Sequence, residues 1–135
     1  EKPVAPVVRP TAELTSVARG ATGAEVESAC AATGFSRFPV TDGAAGELVG
    51  YLHIKDVLEP DAERRERPIE SKWIRPFAAV HTDDALHDAL ETLQRKGAHM
   101  ARVVDVSGTT IGVATLEDVI EELVGEIRDA AHGDV

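Results

Sequence analysis

Thr115 and Asp118 stand three residues apart in the stretch GVATLEDVIEELVGEI (112–127). There an apolar strand pattern runs abruptly into a helical one, with Val119, Ile120, Leu123, Val124 and Ile127 at helical spacing. The Thr-x-x-Asp spacing is that of a capping box. The same residues suit a ligand. A helix start presents bare N–H groups that attract anions. On spacing alone, a helix cap and a ligand contact both stand. A threonine that caps an empty site and turns to phosphate when one arrives would serve both.

The elements that position these residues occur twice. GFSRFPVTDGAAGELVGYLHIKDVLE (34–59) aligns with GAHMARVVDVSGTTIGVATLEDVIEE (97–122), pairing Gly34 with Gly97, Val40 with Val103, Asp42 with Asp105, Gly50 with Gly112 and Asp56 with Asp118. Each copy opens on a short apolar stretch, ELTSV (13–17) or PFAAV (76–80), followed by a helix. In the first helix Thr22 and Glu25 form a capping box ahead of Val26, Ala29 and Cys30. In the second, Thr82 is the expected N-cap, and Leu86, Ala89, Leu90 and Leu93 form the core stripe. Gly34 and Gly97 are helix stops. Two strands follow around glycine-bearing turns, and a second helix closes each copy. The fold class expected is α+β, two β-α-β-β-α repeats packed sheet to sheet about a pseudo-twofold axis. The segments are residues 1–60 for repeat one, a charged linker at 61–72, repeat two at 73–128 and a tail at 129–135.

The chain of 135 residues has a formal net charge of −10. That argues against sequence-independent nucleic-acid binding, which needs a basic face, and against adhesion to anionic lipid. Cys30 is alone, so neither an internal disulfide nor a cysteine metal site is expected. Nothing resembles a signal peptide or a membrane span. A chain opening on Glu1 is expected to be a fragment or a processed product. His81, Asp83, Asp84, His87 and Asp88 crowd one helix start, but acidic residues there are ordinary dipole chemistry, and a metal site is the weaker reading. Catalysis is not expected: no nucleophile–base pattern and no P-loop occurs.

The repeat, with Gly-x-x-Thr-x-x-Asp at the end of its last strand, resembles the cystathionine-β-synthase (CBS) domain, of which a tandem pair is a Bateman module. GFSRFPV, GYLHIKDVL and TLEDVIEELVGEI are closer to one branch, the CBS pair of CorC-type magnesium and cobalt efflux proteins, relatives of the cyclin-M transporters. The opening stretch VVRPTAEL and the turn Val106-Ser107-Gly108 depart from that branch's usual wording.

The resemblance implies a regulatory module, not an enzyme, that binds adenine nucleotide, ATP above all, in the cleft between the repeats. Asp118 would hold the ribose hydroxyls and Thr115 the phosphates. Ser36, Arg37 and Phe38 surround the strand start where the family has a phosphate-contacting arginine; a surface salt bridge is the plainer reading of Arg37. An adenine slot could come from Phe77, Ala78, Val80, Ile111 and Val113, with Gly112 beside it, although such residues would be core in any fold. His53 and Asp56 stand where the second copy has Thr115 and Asp118, a weaker second site. Mg²⁺ would enter with the ATP phosphates and no metal would bind the protein directly, because the ion cancels charge that a protein of −10 cannot. The implied partners are a second copy, meeting through CBS helices with Leu123 and Ile127 as exposed candidates, and a transmembrane domain of the same full-length chain, at the cytoplasmic face of the membrane. The rival readings are a structural dimerisation module with a dead nucleotide site and the regulatory CBS pair of a soluble enzyme.

Overall fold

The computed structural model describes residues 2–133. Its chain forms two compact units, each with one sheet. The first-repeat unit comprises residues 15–76, and the second-repeat unit joins residues 2–14 to residues 77–133. The division of the sequence at 60 and 73 follows the repeat, not these units, and remains a proposal.

In the first-repeat unit, β2 (Val17–Ala18) runs parallel to β3 (Arg37–Asp42), and β3 pairs antiparallel with β4 (Glu47–His53). Helix α1 (Gly23–Thr33) lies between β2 and β3 in sequence. Its N-cap is Thr22, whose hydroxyl accepts the Glu25 N–H at 3.2 Å, and it ends at Gly34 in the left-handed conformation that glycine adopts freely. Val26, Phe38, Val40, Leu52, Ile54 and Val57 are among the core residues. The expected closing helix is a single turn, α2 (Ile54–Val57). Pro60 lies shortly beyond it and disfavours helical geometry at Glu59. The charged segment after it holds another one-turn helix, α3 (Ala62–Arg65), capped by Asp61.

In the second-repeat unit, β5 (Ala78–His81) is parallel to β6 (Met100–Val104), which pairs antiparallel with β7 (Thr110–Thr115). The irregularity between Val103 and Val104 repeats the one between Val40 and Thr41, so the two sheets share even this bulge. β1 (Arg9–Pro10) adds the fourth strand, antiparallel to β7, with Arg9 opposite Val113 and Pro10 opposite Gly112. Proline lacks an N–H, which suits it to an edge such as this. Helix α4 (Leu86–Lys96) buries Leu86, Ala89 and Leu93. Thr82 does not cap it. The N-cap is Ala85, without a side-chain bond, and the Leu86 N–H donates to the Lys2 carbonyl at 2.8 Å. The N-terminal segment thus supplies the acceptor that a capping side chain would have provided.

Helix α5 (Leu116–Gly133) includes residues 129–133 of the expected tail; residues 134–135, like Glu1, lie outside the described residues. Val119 is buried, and Leu116 and Leu123 pack against the same core. Leu123 is therefore not an exposed dimer candidate. The exposed apolar row is Ile120, Val124 and Ile127, displaced by one residue from the stripe that faces the sheet. Among the described residues, no helix is long and apolar enough to cross a membrane.

Candidate functional site

Thr115 ends β7 and Asp118 lies in the first turn of α5. The Thr115 hydroxyl accepts the Asp118 N–H at 3.1 Å, so the cap forms as the spacing requires. A hydroxyl that accepts one bond still carries a proton to donate. Thr115 can cap the helix and donate to a phosphate oxygen at once, without turning away. The Asp118 carboxylate is half-buried and meets the fork of Arg9: Nε donates to Oδ2 at 2.8 Å and Nη2 to Oδ1 at 3.2 Å. The bonds to Asp118 hold the Arg9 guanidinium still more firmly protonated, against a smaller opposing effect of burial. An open groove of about 330 Å³ runs along this pair, with Val7, Val8, Glu121 and Glu122 in its walls.

Arg9 had no place in the sequence reading, yet a signal for it exists. Arg9-Pro10 recurs as Arg75-Pro76, each at or just before its repeat's apolar opening. The structure gives the two the same role. Arg75 bridges Tyr51 on β4, exchanging both backbone hydrogen bonds with it at 2.8 and 3.0 Å, as Arg9 lies beside Val113 on β7. Its Nε and Nη2 reach Oδ2 of Asp56 at 3.0 and 2.7 Å. A glycine admits each arginine. A Cβ on Gly112 would collide with the Arg9 carbonyl oxygen and stand 2.9 Å from its carbon, and one on Gly50 would stand 2.6 Å from the Arg75 carbonyl oxygen. The glycine of Gly-x-x-(Thr/His)-x-x-Asp is thus required by the arginine that clamps the aspartate.

His53 replaces Thr115 as cap, its Nδ1 accepting the Lys55 N–H at 3.0 Å. That bond needs an unprotonated Nδ1. Burial, and then the charges of Arg37 and Arg75, lower the histidine pKa. His53 is therefore a neutral cap at pH 7.

The remaining candidates divide between the units. In the first-repeat unit Ser36 is exposed, its carbonyl taken by the Ile54 N–H at 2.8 Å. Arg37 is half-buried opposite His53, and the Phe38 ring is wholly buried in the core. In the second-repeat unit Ala78 and Val80 are core, Val113 is buried, and Phe77 and Ile111 are half-buried. Thr115, Asp118, Gly112 and the unforeseen Arg9 form one constellation; the expected apolar slot is largely packed interior. At the start of α4, Asp84 accepts the His81 backbone N–H at 3.0 Å and His87 pairs with Asp88. No group of three or more potential metal ligands is gathered among the described residues.

A family profile described as the CBS domain matches residues 4–63 and 74–125. The chain belongs to the CBS-domain family. This CBS pair is 42% identical over 120 residues to an uncharacterised protein of Mycobacterium tuberculosis H37Rv, covering 89% of the pair and 34% of that protein. It is 35% identical over 127 residues to the UPF0053 protein YhdT of Bacillus subtilis, covering 91% of the pair and 28% of YhdT. The pair thus spans about a third of these relatives' length. Among solved structures it is similar to the CBS domain of a bacterial CNNM/CorC family Mg²⁺ transporter in complex with ATP, with TM-score 0.80, 31% identity and coverage of 92% of this chain and 88% of that one. It is also similar to the CBS domain of a putative transporter from Clostridium difficile 630, with TM-score 0.79, 25% identity and coverage of 93% and 96%.

Proposed function

We propose that this CBS pair is the nucleotide-sensing regulatory module of a CorC-type Mg²⁺/Co²⁺ efflux protein, placed at the cytoplasmic face of the membrane and joined to a transmembrane domain. Its ligand is adenine nucleotide, ATP with Mg²⁺ foremost. The observation that carries the reading is the constellation at the start of α5 in this fold: the Thr115 hydroxyl holds the Asp118 backbone N–H and keeps a proton to give, and the Asp118 carboxylate stands in the same first turn. A relative of the same fold was solved with ATP. Asp118 takes the ribose hydroxyls, Thr115 a phosphate oxygen, and Arg37 is proposed as a further phosphate partner, with Ser36 and Phe38 beside it in sequence. His53 and Asp56 belong to the weaker site. A ligand that binds one arrangement of the module better than another shifts its population and so reports to the attached domain. The module works as a homodimer through helix faces that include Ile120, Val124 and Ile127, and it does not bind nucleic acid.

Titration calorimetry with ATP, ADP and AMP, with and without Mg²⁺, tests this. ATP binding should weaken sharply in EDTA while AMP binding barely changes. Asp118→Ala should cost tenfold or more in ATP affinity, since a charge-assisted hydrogen bond contributes about 1.5–3 kcal/mol. One observation favours the dead-site reading: both oxygens of Asp118 are already engaged by Arg9. On that reading Asp118→Ala leaves ATP binding as it was, absent or unchanged.

A further inference from the structure

We propose that Arg9 is a positioning residue for nucleotide binding: its fork orients the Asp118 carboxylate for the ribose and offsets the acidic charge around it. The proposal rests on the nucleotide reading above. A carboxylate offers about four acceptor positions, two on each oxygen. The Arg9 fork uses one position on each, through Nε to Oδ2 and Nη2 to Oδ1. One position per oxygen remains, on the side away from the fork, so each oxygen can still accept a hydroxyl. A two-point fork also fixes the carboxylate plane in a way that one contact does not.

The origin of the Arg9 side chain is itself fixed. Its backbone is paired with Val113 on β7, and the carbonyl lies so close over Gly112 that only glycine fits beneath it. Charge points the same way. Asp118, Glu121 and Glu122 share the groove wall, and Arg9 feels both Asp118 and Glu121. An anionic nucleotide approaching Asp118 meets less repulsion with the guanidinium in place. The first-repeat unit builds the same clamp from Arg75 and Asp56, but with both donors on one oxygen, Oδ2. The fold therefore makes the pair twice, and the two-oxygen fork is the form found beside the Thr115 cap.

The test compares ATP with 2′-deoxy-ATP, both with Mg²⁺, on wild type, Arg9→Gln and Arg9→Lys. Wild type should prefer ATP. Arg9→Gln should weaken ATP binding roughly tenfold, the scale of one charge-assisted contact, and bring the ATP to 2′-deoxy-ATP affinity ratio close to one. Arg9→Lys restores the charge but not the fork, so it should recover part of the affinity and little of the ratio. The pair is exposed enough that its loss should move Tm by only a few degrees, and Arg9→Lys gives the same answer should Arg9→Gln fold poorly. Wild-type discrimination that persists in full in both variants overturns the role of Arg9 and leaves the ribose reading intact. Tighter ATP binding by Arg9→Gln makes Arg9 a competitor for Asp118 and also overturns it. A wild type that binds both nucleotides equally, with Asp118→Ala unchanged, overturns the ribose reading and this proposal together.

Discussion

Replacing Gly112 by alanine should break the seat of β1. The new Cβ would collide with the Arg9 carbonyl oxygen and lie 2.9 Å from its carbon and 3.1 Å from Pro10 Cα. All three atoms are backbone, so no side chain can swing aside. Carbon contacts settle near 3.5–4.0 Å, so β1 must retreat by more than about half an ångström. The retreat weakens the two-residue pairing of Arg9 and Pro10 with Val113 and Gly112, where each hydrogen bond contributes about 1 kcal/mol net. It also draws Arg9 away from Asp118, an ion pair whose side chains are 48% and 22% exposed, for at most about 1 kcal/mol. The sum, about 1.5–3 kcal/mol, agrees with the usual cost of overpacking. Tm should fall by roughly 5–10 °C, and hydrogen exchange should quicken at the β7 amides next to β1. A Gly112→Ala protein that melts within a degree of wild type, with β7 equally protected, would refute the close approach of Arg9 and the explanation of the glycine.

Gly50→Ala should destabilise the first-repeat unit by a similar mechanism, because its Cβ would stand 2.6 Å from the Arg75 carbonyl oxygen; calorimetric Tm checks it. Thr115→Ala should cost about 1 kcal/mol through the lost α5 cap, measurable by urea denaturation, and should weaken ATP more than adenosine. The His53 pKa is lower folded than unfolded, so the unfolded chain takes up the proton first. His53 therefore supports stability fully above about pH 6.5, loses that contribution as pH falls through this value toward the folded pKa, and His53→Asn should flatten this part of the denaturation profile. Asp105, held low by the Ser107 hydroxyl and the Thr109 N–H, contributes above its unfolded pKa and loses that contribution as pH falls through its folded one; Asp105→Asn should shallow the acid limb there. Ile127→Glu should shift sedimentation of the proposed dimer toward monomer, since Ile127 is 69% exposed.

The hairpins were legible because their signals are local. Arg37–Asp42 forms the strand that RFPVTD announces, and Thr22 and the two αL glycines bound their helices as read. The first repeat's closing helix is shorter than its pattern because Pro60, a single residue, outweighs the apolar spacing before it. The displaced cap of α4 and the placement of residues 2–14 were not legible. Both depend on pairings across most of the chain, Lys2 with Leu86 and Arg9 with Val113, which no local propensity encodes. At the site, Thr115 and Asp118 declared themselves through the capping spacing. Arg9 did not, because a two-residue edge strand containing proline has no periodicity to show, and only the recurrence of Arg-Pro pointed to it. The Phe38 ring and Ala78 and Val80 are apolar residues whose type cannot separate a ligand wall from an interior; the structure places them in the interior.

The second-repeat unit is written in two pieces, residues 2–14 and residues 77 onward, with the first-repeat unit inserted between them. Its edge strand must therefore close a chain loop that contains all of the insert. When residues 15–76 are folded, the insert is a spacer of fixed span. When they unfold, the same about 60 residues become a flexible loop, whose closure costs on the order of 3–4 kcal/mol of chain entropy. The stability of β1 on β7, and with it the setting of Arg9 on Asp118, is therefore linked to whether the other unit is folded, through the polymer statistics of the connection. During synthesis the order is also constrained: residues 2–14 emerge first and have no sheet to join until β7 has been made, while the insert, whose contacts are closer in sequence, can form in the interval.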